Sequence, residues 1–132
     1  MARFIQTVSA ADPASFVTAV NAVLAALTNP TIRQWAMTVT EFDRRLGVEY
    51  RLALSYTDGG AALATPFLLR IDESHNLDTA DTALQAFLTA NAAYFVTGAR
   101  MFYQDAGPKI ARYTLATLYN VTGGASANYA AL

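Results

Sequence analysis

The side chains that could do chemistry are few and thinly spread. A single histidine, His75, sits in the run Asp72-Glu73-Ser74-His75-Asn76. Three of these side chains are of the kind that contacts a hard cation or relays a proton. One histidine cannot build a multi-histidine metal centre, and the run reads more simply as a polar loop capping the helix that follows. A serine nucleophile would need His75 as its base. Ser74 is its immediate neighbour, which is poor geometry for a directed hydrogen bond, and Ser9, Ser15, Ser55 and Ser126 stand in no signature. Glu41 and Glu49 flank a hairpin tip with Arg44 and Arg45, a grouping that usually forms a solvated salt-bridge cluster. With no cysteine, disulfides, thiolate metal sites and a cysteine nucleophile are excluded. Gly59-Gly60 and Gly123-Gly124 lack the lysine and the strand-to-helix setting of a phosphate loop and read as hinges. No catalytic residue, metal site or cofactor is assigned.

Two groupings reach further. Tyr50 and Tyr56 alternate on one strand face, and Tyr113 and Tyr119 repeat the pattern later in the chain. With Trp35 and Tyr103 they could line an aromatic pocket, with His75 to move protons; the plainer reading makes them large core residues whose hydroxyls reach the rim. Arg33, Arg51, Arg100 and Arg112 would form a basic patch for single-stranded nucleic acid if they shared one exposed face. A net charge of −1 and a single lysine, Lys109, argue against that partner and against an anionic membrane surface.

Composition favours association. The chain has 132 residues, enough for one domain with one core. It is 54% hydrophobic and 14% charged, where roughly 25% charged is usual. So few charges cannot cover a small domain, and some apolar surface should lie against another chain. The predominance of arginine over lysine fits interfaces, and fits equally a GC-rich codon bias. The segment Met1 to Gln6 has no long apolar run, so neither a signal peptide nor a membrane span is expected.

The elements that position these residues follow from periodicity. Asp12-Pro13 predicts a helix start, and Phe16, Val17, Val20, Val23, Leu24 and Leu27 form its apolar stripe up to Asn29-Pro30. A second helix is predicted from Asp78, with a stripe of Leu84, Phe87, Leu88 and Phe95 and a stop at Gly98. Val48 to Thr57 alternates as a half-buried strand, in a hairpin with the strand around Trp35, Met37 and Val39. Met101 and Tyr103 lie on one strand, and Tyr113, Leu115, Tyr119 and Val121 on the last; shorter strands are expected at Arg3–Val8 and Phe67–Asp72.

The order is β-α-β-β twice. Thr18 to Leu24 matches Thr82 to Leu88, and Tyr50 to Tyr56 matches Tyr113 to Tyr119. Agreement of order, helix register and strand face implies internal duplication. The predicted fold is α+β, a two-layer sandwich: an antiparallel sheet with two helices on one face and an internally duplicated β-α-β-β unit. Repeat one spans about 1–58 and repeat two about 66–122, within a single domain 1–122. A pseudo-twofold axis is expected between them. The uncovered sheet face would carry small, weakly polar residues such as Thr38, Thr40, Ala53, Ser55, Thr57, Thr114 and Ala116.

The stretch 123–132 lacks periodicity and charge, and reads as an arm that orders on a neighbouring subunit. The expected function is a non-enzymatic structural subunit, a homo-oligomer that also contacts other assembly subunits. Its contacts are expected from Arg44, Arg45, Leu63, Pro66, Tyr129 and Leu132. In composition the short, Ala/Thr-rich, cysteine-free chain resembles phage capsid, decoration and tail proteins. That resemblance implies a virion protein assembled in the host cytoplasm. The alternatives are a small-molecule-binding protein or enzyme with the aromatic pocket, and a single-stranded nucleic-acid binder.

Overall fold

The computed structural model describes residues 3–27, 30–41, 48–57, 67–105 and 111–120. Along the chain run β1 (Arg3–Ala10), α1 (Pro13–Ala25), β2 (Thr31–Glu41), β3 (Val48–Thr57), β4 (Phe67–Ser74), α2 (Leu77–Ala90), β5 (Phe95–Asp105) and β6 (Ala111–Asn120). The chain is α+β, with two β-α-β-β units. Each unit is a two-layer sandwich of one helix on a three-stranded antiparallel sheet, ordered β1-β3-β2 in the first and β4-β6-β5 in the second.

The units match in register as well as in order. Arg3 pairs with Thr57 where Phe67 pairs with Asn120. The bulge of β2, between Ile32 and Gln34, returns in β5 between Val96 and Gly98 at the same place in the repeat. A bulge inserts one unpaired residue and bends its strand, so this is a shared irregularity that alanine-rich composition does not produce.

The helices begin where short polar side chains can accept from free N–H groups. Asp12 Oδ1 accepts from Ser15 N at 2.8 Å, with Pro13 in the first turn. That bond holds the Asp12 carboxyl below its ordinary pKa. In α2 the cap is Asn76, which accepts from Asp78 N, so the helix begins one residue before Asp78. It ends at Ala90 with Asn91 as its cap, and Phe95 and Gly98 belong to β5.

The units stack rather than mirror each other. The inner face of the first sheet carries Tyr50, Leu52, Leu54, Tyr56, Ile32, Trp35 and Met37, and α1 lays Phe16, Val20 and Leu24 upon it. Against this assembly packs the second sheet, through the face bearing Phe67, Leu69, Ala116 and Leu118. Its opposite face, with Tyr119, receives α2. The layers therefore run sheet, α1, sheet, α2. A twofold axis would pair equivalent faces; here the helix side of unit one meets the helix-free side of unit two, which corrects the expected pseudo-twofold.

The same stacking explains a departure in burial. Thr38, Thr40, Ala53 and Ser55 do lie on the uncovered outer face of the first sheet. Thr114 and Ala116 are fully buried, because the face of the second sheet that bears them packs against unit one. Thr57 is buried as well.

Candidate functional site

The densest polar cluster lies where the two units meet. Antiparallel register sets Glu73 on β4 opposite Thr114 on β6, and Thr114 Oγ1 donates to Glu73 Oε2 at 2.7 Å. The same oxygen accepts from the Tyr50 hydroxyl of β3 at 2.5 Å, while Arg112 Nη1 donates to Oε1 at 3.0 Å. Three donors from two units thus converge on one carboxylate. Tyr50 is stacked on Phe16 with ring centroids 5.7 Å apart. Burial, and then its bond to Glu73, push the Tyr50 hydroxyl well above its ordinary pKa. Burial opposes the charge on Arg112, but Glu73 and Tyr50 outweigh it and hold the guanidinium above its ordinary value.

Both Glu73 oxygens are engaged by these donors, which tie β3 of the first unit to β4 and β6 of the second. A cleft of about 340 Å³ opens beside it, lined by Glu73, Ser74, His75 and Arg112. Ser74 Oγ accepts from Asn76 N at 3.2 Å, a turn contact leading into the cap of α2. Sequence reading placed Glu73 in the loop with His75 and missed its partners, since the partner strands stand 23 and 41 residues away.

A second seam joins β2 and β5. The Arg100 guanidinium lies 4.3 Å from the centre of the Trp35 ring, and its Nη2 reaches the Trp35 carbonyl at 3.4 Å. Gly98 permits this approach: a Cβ there would stand 3.1 Å from Trp35 Nε1.

The structure divides the proposed aromatic pocket. Trp35 and Tyr50 are buried between the units, whereas Tyr103 and Tyr113, with centroids 4.9 Å apart, lie on the α2 side of the second sheet. That side also holds Tyr119, which stacks on Tyr94 at 5.5 Å and meets the edge of Phe87 at 5.3 Å. Arg70 caps Phe87 at 4.2 Å and is paired through two nitrogens with Asp72. Burial, then the neighbouring Tyr94, raise the Tyr119 pKa against the pull of Arg70.

The four arginines do not share one face, although Arg100 and Arg112 both lie on the side of the second sheet that meets unit one. Arg51 is on the outer face of the first sheet, paired with Glu49, while Arg112 is on Glu73 and Arg100 on Trp35. Arg33 stands at the β2 bulge with its Nε buried. Arg44, Arg45, Leu63, Pro66, Tyr129 and Leu132 lie outside the described residues, as do both Gly-Gly pairs and the stretch 123–132.

Two open surfaces remain. Among the described residues no helix lies on the outer face of the first sheet, which holds a depression of about 410 Å³ lined by Thr7, Ser9, Ala36, Thr38, Arg51 and Ala53. The other is the α2 side of the second sheet beyond the helix, with Val96, Met101 and Tyr103. Neither Ile5 nor Met101 stands out by residue type; what marks them is exposure at positions whose counterparts in the other repeat are buried.

Among the described residues, no group of three or more histidine or carboxylate side chains is placed to hold a metal ion, and no helix is long and apolar enough to cross a membrane. No family model, curated protein or solved structure matches the chain.

Proposed function

We propose that the chain is a non-enzymatic structural subunit that associates with copies of itself in a symmetric assembly. One observation carries this reading. The large apolar side chains that stand exposed among the described residues, Ile5, Val96, Met101 and Tyr103, all fall on the two open surfaces. Scattered apolar residues need no explanation, but three of these four share the α2 side of the second sheet, in a chain with 14% charged residues, and that is what an interface leaves when its partner is removed. The outer sheet face is also shallow and, Arg51 apart, lined by small side chains, which suits close packing of a second surface.

A phage virion protein is the instance suggested by composition, and composition is its whole support. In that reading Arg44, Arg45, Leu63, Pro66, Tyr129 and Leu132 supply further inter-subunit contacts. The test is the solution mass over a dilution series, by light scattering after size exclusion. An assembly that dissociates on dilution is expected; a monomer at every concentration would overturn the proposal.

A further inference from the structure

Each of the two open surfaces has a counterpart already buried inside the chain. The outer face of the first sheet corresponds, position by position, to the face of the second sheet that packs against unit one. Ile5 opposite Ser55 stands where Leu69 stands opposite Leu118. The α2 side of the second sheet corresponds in turn to the α1 side of the first, with Met101 opposite Leu115 where Met37 is opposite Leu52.

Burial differs accordingly. Leu69 is 2% exposed and Ile5 74%; Met37 is 6% exposed and Met101 58%. Ile32 is fully buried while its counterpart Val96 is 37% exposed. Each surface is thus one half of an interface that the chain has already made once, lacking its other half.

Resting on the structural-subunit reading, we propose that copies stack head to tail: the outer face of the first sheet of one copy covers the α2 side of the next. The mode repeats the way unit two covers the α1 side of unit one. The occupant is therefore a second copy of this chain, because the face that fits the α1 side is a repeat of the face left open.

Two internal bonds set the register. Leu69 N, on the edge strand β4, donates to Asn21 Oδ1 of α1 at 2.8 Å. At the corresponding places stand Ile5 and Gln85, so an amide on α2 is available to accept from the β1 edge of a neighbouring copy. Tyr50 donates to Glu73; its counterparts are Tyr113 and Ser9, again a pair of hydrogen-bonding side chains. The two surfaces differ from each other, so the contact is heterologous. Each added copy presents the same free surfaces, and growth continues until a ring closes or a filament forms.

The experiment uses the full chain with Ile5→Asp, with Met101→Asp, and with the two variants mixed in equal amounts, read by light scattering. Both positions are exposed, and circular dichroism checks that each variant is folded. Thr7→Arg and Ala99→Arg, exposed on the same two surfaces, provide a second pair. Stacking predicts that each variant alone loses the large assembly. The mixture then forms a heterodimer of twice the chain mass, since each variant keeps the surface the other has lost. If the mixture stays monomeric, if only one of the two variants abolishes assembly, or if neither does, the stacking is overturned while the structural-subunit reading stands. A wild-type chain that is monomeric throughout overturns both.

Discussion

Leu69 and Ile5 occupy the same position in two copies of one structural unit, and one is buried against α1 while the other faces solvent. The difference comes from stacking order, not from local structure, because both sit on edge strands with the same register to their central strand. An edge strand left open is a template for pairing with another chain. Within the chain that edge is protected at β4 by Asn21.

Removing that protection should be costly. Asn21→Val leaves the Leu69 N–H beside α1 without its acceptor, and a loss of about 1–3 kcal/mol is expected. Asn21→Asp keeps an acceptor at the same place and should recover most of it. Chemical denaturation of the three chains decides the matter; equal loss in Val and Asp would show that the bond contributes nothing.

Gly98 should resist enlargement. Its missing Cβ is what lets Trp35 and Arg100 close the seam between β2 and β5. Gly98→Val is expected to destabilise by about 1–3 kcal/mol through overpacking. It should also shift the fluorescence of Trp35, the only tryptophan in the sequence. An unchanged midpoint and spectrum would place the Trp35 contact elsewhere.

Tyr50 sets an alkaline limit. Its pKa is raised in the folded chain, by burial and then by Glu73, above an ordinary value of 10.0. The neutral hydroxyl is thus favoured by folding, and its contribution is complete below pH 10 and lost as pH rises beyond it. Tyr119 is shifted in the same direction. Tyr50→Phe should lower stability at neutral pH by about 1.5–3 kcal/mol, the usual worth of a hydrogen bond to a charged group. It should also flatten the decline above pH 10. Melting temperatures of both chains from pH 7 to 11 measure this, and parallel curves would contradict it.

Much of the fold is legible in residue patterns. Asp12-Pro13 and the stripe of Phe16, Val20 and Leu24 define α1, and strict alternation from Val48 to Thr57 defines β3. The duplication is visible in the matching of Tyr50 to Tyr56 with Tyr113 to Tyr119. The end of α2 is not, because Phe95 continues the helical spacing of Phe87 and Leu88 although Asn91 caps the helix earlier. Nor does alternation reveal which sheet has its helix-free face covered. Thr114 and Ala116 look like solvent-face residues until unit one is laid over them. Glu73 illustrates the same limit: its role depends on Tyr50, brought from the other unit by packing that no local pattern encodes.

The absence of cysteine permits a direct test of the central claim, that copies of the chain cover the exposed apolar positions. Met101→Cys introduces a unique thiol on the open α2 side, and its rate of modification by a water-soluble reagent can be followed at increasing protein concentration. The stacked assembly predicts rapid labelling in dilute solution and progressive protection as concentration rises. A rate independent of concentration would contradict it.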